Sequence, residues 1–462
     1  MAGPALLFLA TLTVMLLRPP DLQFYGLDRV AFVLLVMVAV LRASIVRQPM
    51  WKIRGVTLPM LGLLSLAFFS IVTQPFEAQS YSLVAAKFVV PFGLFYASML
   101  VFSKPASLRW LETFALVVLA YLSFIAIAFL IGAKALIFPA FILDEGLGIH
   151  ADRARGPFLQ AVANGLTLNM LGLIALDSFR RGRLRGIWAI ALLGALPVAI
   201  LATRTRAVWL SFSLAIVVVC FRTSSRKLRR ACLCIGAMSS AVLVVVFSTA
   251  DLRTSLEDRA SERGPVEIRL AVYQAGWQMF LERPISGWGM NQMPAELASR
   301  MRDYRLKAFP VHNTYLEILV EHGIVGLGLY LWLVVGLFRI GHRAAVGQEQ
   351  CAGNIPVESG IAEDDSSEQV VNREFRELDG RASNFPDDFP DRSFPDRTFP
   401  DRHFPDQEFR KIWPILLGVY LLNATFVVMN YQFVNGLLFT LAGVLAAQNR
   451  RAVAAQEYLL AS

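Results

Sequence analysis

The chain has 462 residues, of which 56% are hydrophobic and 17% are charged, whereas a typical soluble domain carries about 25% charged residues. A soluble protein of this length would divide into about three domains, each with a charged surface, so the composition argues against a soluble enzyme. The formal net charge of +9 does not indicate a nucleic-acid partner, because the basic excess flanks apolar runs, where such residues orient spans and contact anionic lipid.

Apolar runs close to the ~20 residues needed to cross a bilayer recur along the chain. They predict an all-α integral membrane protein with about twelve transmembrane helices. The first run has no A-x-A cleavage site, so we expect a retained helix rather than a signal peptide. The predicted spans are 2–17, 27–46, 55–74, 82–103, 110–132, 157–179, 187–202, 207–221, 231–249, 314–340, 412–429 and 431–447.

The distribution of Lys and Arg predicts that both termini are cytoplasmic. In that orientation the short cytoplasmic connections carry 17 Lys and Arg residues and the short outer connections carry 7, as the positive-inside rule requires. The predicted division is 1–249 for spans one to nine, 250–311 for a periplasmic loop, 312–340 for span ten, 341–411 for a cytoplasmic loop, and 412–462 for the last two spans and the tail.

The outer loop, 250–311, is predicted to fold into helices. Its apolar residues are spaced as on a helix that ends before Pro284. The glycines of the following G-W-G, Gly287 and Gly289, permit positive φ or a close backbone approach. The face of the helix that would pack consists of Ile268, Val272, Ala275, Met279 and Phe280.

The inner loop, 341–411, holds 9 basic and 16 acidic residues and a low-complexity repeat, FPDD-FPDRS-FPDRT-FPDRH-FPDQE, which begins at Phe385. Proline at every fifth residue is incompatible with a regular helix, and one Phe per repeat cannot build a core. We interpret the repeat as a disordered expansion, and a partner-docking segment is the alternative.

Charged and titratable residues concentrate at the predicted outer face. His312 lies where the outer loop meets span ten, and histidine exchanges protons near physiological pH; an interfacial histidine solvated by headgroups is the simpler interpretation. Planar, permanently charged arginines suit bidentate phosphate binding, although any single one could snorkel to the interface. Together these residues predict an anionic, phosphorylated substrate. The outer arginines are Arg153, Arg155, Arg204, Arg206 and Arg269.

The sequence indicates no metal site and no disulfide framework. The four cysteines lack C-x-x-C spacing, and no cluster of histidines accompanies them. They are Cys220, Cys232, Cys234 and Cys351.

Three segments, in this order, carry a resemblance to a known family. They read RLAVYQAGWQM at 269–279, RPISGWG at 283–289 and HNTYLEILVEHGIVGL at 312–327. The ordered set resembles the O-antigen ligase and polymerase superfamily of bacterial envelope glycosyltransferases, whose pattern is an Arg before a Trp, P-x-x-G-x-G, and H-N-x-Y-L-x-x-L-x-E-x-G. Weaker matches are TRA at 205–207 and RARGPF at 153–158, and the family's N-P-N-like stretch is replaced by LQAVANG after RARGPF.

The resemblance implies a GT-C-like enzyme of the bacterial inner membrane that uses no metal ion, cofactor or nucleotide sugar. Such enzymes transfer a glycan from undecaprenyl diphosphate to an acceptor hydroxyl on the periplasmic side, in lipopolysaccharide or exopolysaccharide biosynthesis. The implied partners are the lipid-linked donor, a saccharide or lipid-linked acceptor, membrane lipids and, as an option, polysaccharide-assembly proteins.

The resemblance also implies roles for individual residues. His312 is expected to be the catalytic base. Arg206 and Arg269, with Arg153 as a companion, are expected to bind the diphosphate. An intramembrane carboxylate more often pairs with a neighbouring Arg than takes part in chemistry, so the glutamate of the E-x-G motif is expected to be structural. The expected supporting residues are Asn313, Glu321, Gly287 and Gly289.

Several alternatives remain at this point. A repeat-unit polymerase or a protein O-glycan transferase would share the site and the donor, because only the acceptor differs. A twelve-span transporter would instead place its polar residues in broken helices at the membrane midplane. A structural partner in a polysaccharide-assembly complex would have the acidic inner loop as its only support.

Overall fold

The computed structural model describes residues 3–18, 26–45, 53–148, 151–248, 264–301, 311–353, 404–428 and 430–461. Regular structure in these ranges is entirely helical, which confirms the predicted all-α class, and a π-helical turn, Ala85–Val89, joins α4 to α5. The helices are α1 (Gly3–Leu16), α2 (Leu27–Ile45), α3 (Arg54–Val72), α4 (Ala78–Val84), α5 (Val90–Val101), α6 (Pro105–Leu130), α7 (Ala161–Arg180), α8 (Gly186–Ala202), α9 (Arg206–Arg222), α10 (Arg226–Ser248), α11 (Gly264–Glu282), α12 (Met293–Arg300), α13 (Thr314–Gly353), α14 (Gln407–Ala424) and α15 (Gln432–Ala461).

Five helical segments within the described ranges are long and apolar enough to cross a membrane, and each overlaps a predicted span. The most enclosed of them is α7, on which the neighbouring helices pack. The count of twelve spans goes beyond these five and stays a prediction. The five segments are Gly55–Val72, Ala78–Val101, Pro105–Leu130, Ala161–Arg180 and Thr314–Gly341.

Two antiparallel helices, α9 and α14, define the two ends of the bundle. Near one end, the Asn423 amide donates to Ser211 Oγ at 3.0 Å. Near the other, the Thr223 hydroxyl donates to Glu408 Oε2 at 3.5 Å. The start of α13 lies at the first of these ends, because the Thr314 hydroxyl donates to the Val427 carbonyl, just after α14, at 2.8 Å. We call this the histidine end, and the opposite one, where α7 finishes, the arginine end.

The described part of the outer loop folds onto the first turns of α13. Three of the five residues predicted for the apolar face of α11 are buried there, with Val272 2%, Ala275 4% and Met279 0% exposed, and they share a small core with α12 and α13. The other two, Ile268 and Phe280, are half-buried against the same core. The helix ends at Glu282, two residues before Pro284, because proline cannot continue the helical hydrogen-bond pattern. Residues 250–263 and 302–310 of the predicted loop lie outside the described residues.

The inner loop begins later and ends earlier than its predicted boundaries, 341 and 411. The last helix before it, α13, continues to Gly353, and α14 already begins at Gln407. Hydropathy marks the apolar part of a helix, whereas polar helix-forming residues extend it into water, which explains both shifts. The repeats before residue 404 lie outside the described residues.

Candidate active site at the histidine end

The loop that carries Arg153 packs beside the turn that precedes Arg206. The Ala154 amide donates to the carbonyl of Ala202, the last residue of α8, at 3.2 Å. The Asn164 amide group donates to the Ala154 carbonyl at 2.9 Å, which ties the loop to α7. Arg153 is half-buried, and Arg206 is exposed as the first residue of α9. These two predicted site residues therefore lie on adjoining segments at the histidine end.

The backbone at Arg206 favours negatively charged ligands. The positive end of a helix dipole lies at the N-terminus, so a cation there gains nothing from the helix itself. An exposed arginine and the first amides of α9 would instead both stabilise a phosphate group. The connection from α8 is tight, with Arg204 at φ 47° and the Trp209 indole donating to the Ile200 carbonyl at 3.0 Å.

His312 is half-buried immediately before α13 and has a left-handed backbone, with φ 50°. This conformation is uncommon for residues other than glycine and occurs often at functional sites. Asn313 follows as the helix cap, since its Oδ1 accepts hydrogen bonds from the amides of Tyr315 at 3.0 Å and Leu316 at 3.1 Å. The cap satisfies amides that a helix start leaves unpaired and fixes the backbone from which His312 projects.

Arg269 is exposed on α11, the helix that packs on the start of α13. The contact is close at Gly276, where a Cβ would lie 3.2 Å from the Leu316 side chain. Arg269 lies two turns before that contact, about 10 Å along the helix. It thus belongs to the same outer assembly as His312, and its role in binding stays a prediction.

The helix that follows His312 is broken at Gly323, two residues after Glu321. Gly323 has φ 64° and ψ −165° inside α13, and only glycine adopts such a conformation readily. In an unbroken helix the amide of Ile324 would bond to the carbonyl of Val320. The break therefore leaves the carbonyls of Val320 and Glu321 and the Ile324 amide without helical partners.

The P-x-x-G-x-G segment supplies those partners. The Trp288 amide donates to the Val320 carbonyl and the Gly289 amide donates to the Glu321 carbonyl, both at 2.9 Å. The Ile324 amide donates to the Pro284 carbonyl at 2.8 Å. Gly287, directly before Trp288, has φ 70°, and a Cβ there would come within 2.4 Å of the Glu321 carbonyl oxygen. Gly287 is thus needed for a backbone joint between the outer loop and α13, to which Gly289 contributes an amide.

The side chain of Trp288 also stabilises this joint. Its indole donates to the Met279 carbonyl at 2.8 Å, and the guanidinium groups of Arg283 and Arg300 lie 4.2 Å and 4.8 Å from the centroid of its ring. Arg300 in turn pairs with Glu282 at 2.7 Å, and this hydrogen bond lowers the pKa of the Glu282 carboxyl. The contacts join α11 to α12 through the turn.

A buried ion triad lies beneath the site, and its basic member was not predicted. Lys87 Nζ lies 2.8 Å from Glu317 Oε1 and 3.1 Å from Glu321 Oε2. Lys87 projects from the π-helical turn, a feature often found at functional sites. Glu321, for which we expected a neighbouring arginine, pairs instead with a lysine of the segment Ala78–Val101. The sequence feature that could have indicated this triad is a lysine within an apolar run.

Arg155 differs from the other outer arginines, because its guanidinium is enclosed by backbone carbonyls. Its side chain is 1% exposed, and it donates to the carbonyls of Ile142, at 3.0 Å, Asp144 and Leu147. Burial lowers the pKa of this guanidinium, and the nearby acidic side chains oppose that effect. Arg155 thus shapes the loop that presents Arg153 and does not itself face a ligand.

Comparison with known proteins finds one family that is similar to this part of the chain. A family model described as O-antigen ligase matches residues 188–331, which include Arg206, Arg269, the glycine joint and His312. No curated protein matches the chain. The matched region holds most of the histidine-end residues, so this part of the chain is similar to the O-antigen ligase family.

Proposed function

We propose that the protein transfers a glycan from undecaprenyl diphosphate to an acceptor hydroxyl at the outer face of the bacterial inner membrane. The chain would cross the membrane twelve times in a GT-C-like arrangement with both termini in the cytoplasm, so the histidine end would face the periplasm. The family supports the coarser statement, a glycosyltransferase of the ligase or polymerase type in polysaccharide biosynthesis. The observation that carries the proposal is the gathering of the Arg153 loop, Arg206 and His312 at one end of the bundle.

The proposed reaction is a single inverting displacement without a metal ion. The acceptor oxygen attacks the anomeric carbon while its proton passes to the His312 imidazole, and the bond from that carbon to the diphosphate oxygen breaks. Arg206 and Arg269, with Arg153, stabilise the negative charge that grows on the departing diphosphate. General-base assistance of this kind typically contributes about 10²–10⁴-fold in rate.

The structure offers one feature that a transporter would also have, a broken helix beside buried charges. In transporters such breaks leave backbone groups open to coordinate the substrate or ion. Here the carbonyls and the amide exposed at Gly323 are hydrogen-bonded to residues 284–289. The break therefore serves to attach the outer loop, which favours a fixed enzyme site.

The proposal is tested by measuring glycan transfer from the lipid-linked donor in membranes with equal amounts of inserted protein. His312→Ala is expected to lower the rate by about 10²–10⁴-fold, and Arg206→Ala and Arg269→Ala to weaken donor use. Arg109→Ala is the matched control, because Arg109 is also exposed but lies near the start of α6, by the arginine end. Full transfer by the His312→Ala protein would show that the proposed mechanism is wrong.

The acceptor is identified by what accumulates on undecaprenyl diphosphate in a deletion strain. A strain without the ligase is expected to build up long chains, because polymerisation continues and transfer stops. Accumulation of single repeat units would instead identify a polymerase that uses the same site residues.

A further inference from the structure

The last copy of the Phe-Pro-Asp repeat is folded into the arginine end of the bundle. Phe404 is 3% exposed and Asp406 is 8% exposed. The Phe404 ring packs against the Phe409 ring with centroids 4.7 Å apart, and the Arg181 guanidinium lies 5.2 Å from its centroid. The interpretation of the repeat as an expansion that cannot contribute to a core therefore does not hold for this copy.

Asp406 uses both carboxylate oxygens in this position. Its Oδ1 accepts a hydrogen bond from the Phe409 amide at 2.9 Å and caps α14. Its Oδ2 pairs with the Arg180 guanidinium. The aspartate thus joins the end of the repeat to the end of α7, while the phenylalanine fills the space beside it.

The groups that receive the triplet are held in place by other parts of the bundle. Arg180 and Arg181 bind the Asp177 carboxylate at 2.7 Å and 2.8 Å, and Arg181 also binds Glu112 at 2.8 Å. Arg183 approaches Glu112 at 3.6 Å. Three arginines therefore lie beside two carboxylates of the bundle, and Asp406 of the triplet contributes a third carboxylate. We call this receiving group, together with Phe409, the triplet socket.

Four further triplets with the same three residues precede the folded one, at 385–387, 389–391, 394–396 and 399–401. They lie outside the described residues, but each carries the ring and the carboxylate that the socket binds. We propose that the triplet socket accepts any of the five Phe-Pro-Asp triplets, so that upstream triplets of the same chain can replace Phe404–Asp406. The loop would then be a tandem ligand for one site on its own bundle.

Chain length permits this exchange within one molecule. Seating the 399–401 triplet requires only that residues 402–406 loop out before α14. On the other side, residues 354–384 separate α13 from the first triplet, and loop-closure entropy changes slowly at such lengths. Tethering gives the upstream triplets a roughly millimolar effective concentration at the socket, which favours them over triplets of another copy.

The position of the fifth triplet directly before α14 explains why it occupies the socket. Asp406 precedes Gln407, the first residue of α14, and caps that helix, whereas at least five residues separate each upstream triplet from α14. An upstream triplet in the socket would leave the first amides of α14 without this cap. The upstream triplets should therefore be weaker occupants that act when the fifth is lost.

The first test compares heat inactivation of three full-length variants in detergent. The first variant carries Phe404→Ala and Asp406→Ala, and the second adds the same two changes in all four upstream triplets. Both lack the cap of α14, so their difference isolates the upstream triplets. The second variant is expected to lose its fold about two- to fivefold faster, the factor that corresponds to one cation–π contact. The control adds Arg392→Ala, Arg397→Ala and Arg402→Ala to the first variant and should not lose its fold faster than that variant does.

Equal inactivation rates for the first and second variants would overturn the proposal. So would a first variant that fails to fold, because upstream triplets would then not have replaced the fifth.

The second test observes occupancy directly. A photoreactive benzoylphenylalanine replaces Phe399 in the wild-type chain and in the first variant. In the first variant it is expected to cross-link, within one chain, to the segment that contains Arg180 and Arg181, and in the wild type much less. Absence of this cross-link, or a cross-link to a second copy of the chain, would contradict exchange within the molecule.

Discussion

Replacing Lys87 with methionine should destabilise the bundle more than removing either carboxylate beside it. Lys87 Nζ lies 2.8 Å and 3.1 Å from the nearest oxygens of Glu317 and Glu321, and the three side chains are 8%, 9% and 4% exposed. Without the lysine, two buried carboxylates face each other without a cation. Removing one partner of a buried ion pair in this way costs about 3–5 kcal/mol.

Glu317→Gln provides the comparison, because it leaves one cation facing one anion. The glutamine oxygen can still accept a hydrogen bond from Lys87, so we expect a loss of about 1 kcal/mol. A triple variant, with Lys87→Met and glutamine at both acidic positions, removes every charge and should approach wild-type stability, as replacement of whole buried ion pairs often does.

The measurement is the fraction of detergent-solubilised protein that remains folded after heating, followed by size-exclusion chromatography. The expected order of stability is wild type, then the triple variant and Glu317→Gln, and finally Lys87→Met. If Lys87→Met protein survives heating as well as Glu317→Gln protein, the net charge of the triad does not determine its stability and the reasoning fails.

Three further substitutions test the histidine end. Gly287→Ala forces a Cβ to within 2.4 Å of a carbonyl oxygen at φ 70° and should abolish transfer, while Gly328→Ala, where a Cβ meets nothing within 4 Å, should leave transfer unchanged; equal activities would refute the joint. Asn313→Ala removes the cap of α13 at a cost of about 0.5–2 kcal/mol and should lower transfer by loosening the histidine before it, whereas Asn313→Asp keeps the cap; the two variants are compared by heat inactivation and transfer rate. Arg155→Lys cannot satisfy three carbonyls with planar geometry and should expose the 142–147 loop to protease, and an unchanged cleavage pattern would contradict that role.

The packed face of α11 could be predicted because one periodicity determines it. Val272, Ala275 and Met279 recur at helical spacing, and a helix that covers one side of a bundle buries only that side. Pro284 predicted the end of the helix for an equally local reason. Local rules therefore sufficed wherever a single element determined the outcome.

Partners that are distant in sequence could not be predicted. Lys87 is recognisable as a lysine within an apolar run, but Glu317 and Glu321 lie 230 and 234 residues away. Arg153 and Arg155 are equivalent by sequence, and only the folded 142–147 loop distinguishes the half-buried one from the enclosed one. The structure places Arg206 and His312 at one end of the bundle, while their catalytic roles stay predictions.

The fifth Phe-Pro-Asp triplet shows the same limit. Composition treats all five copies alike, and the repeat by itself lacks the apolar content of a core. What distinguishes the last copy is the helix that follows it, where Asp406 acts as the cap, and the arginines at the end of α7. Those arginines precede it by more than 200 residues.

The backbone joint at Gly323 also constrains the order in which the parts of the protein can fold. Residues 284–289 leave the ribosome before the carbonyls of Val320 and Glu321 exist, so the turn has to wait for the helix to which it binds. The turn can complete its hydrogen bonds only after the first turns of α13 have formed beside it. Maturation of the histidine end is therefore coupled to membrane insertion of α13, and a chain arrested before residue 324 would lack a formed site.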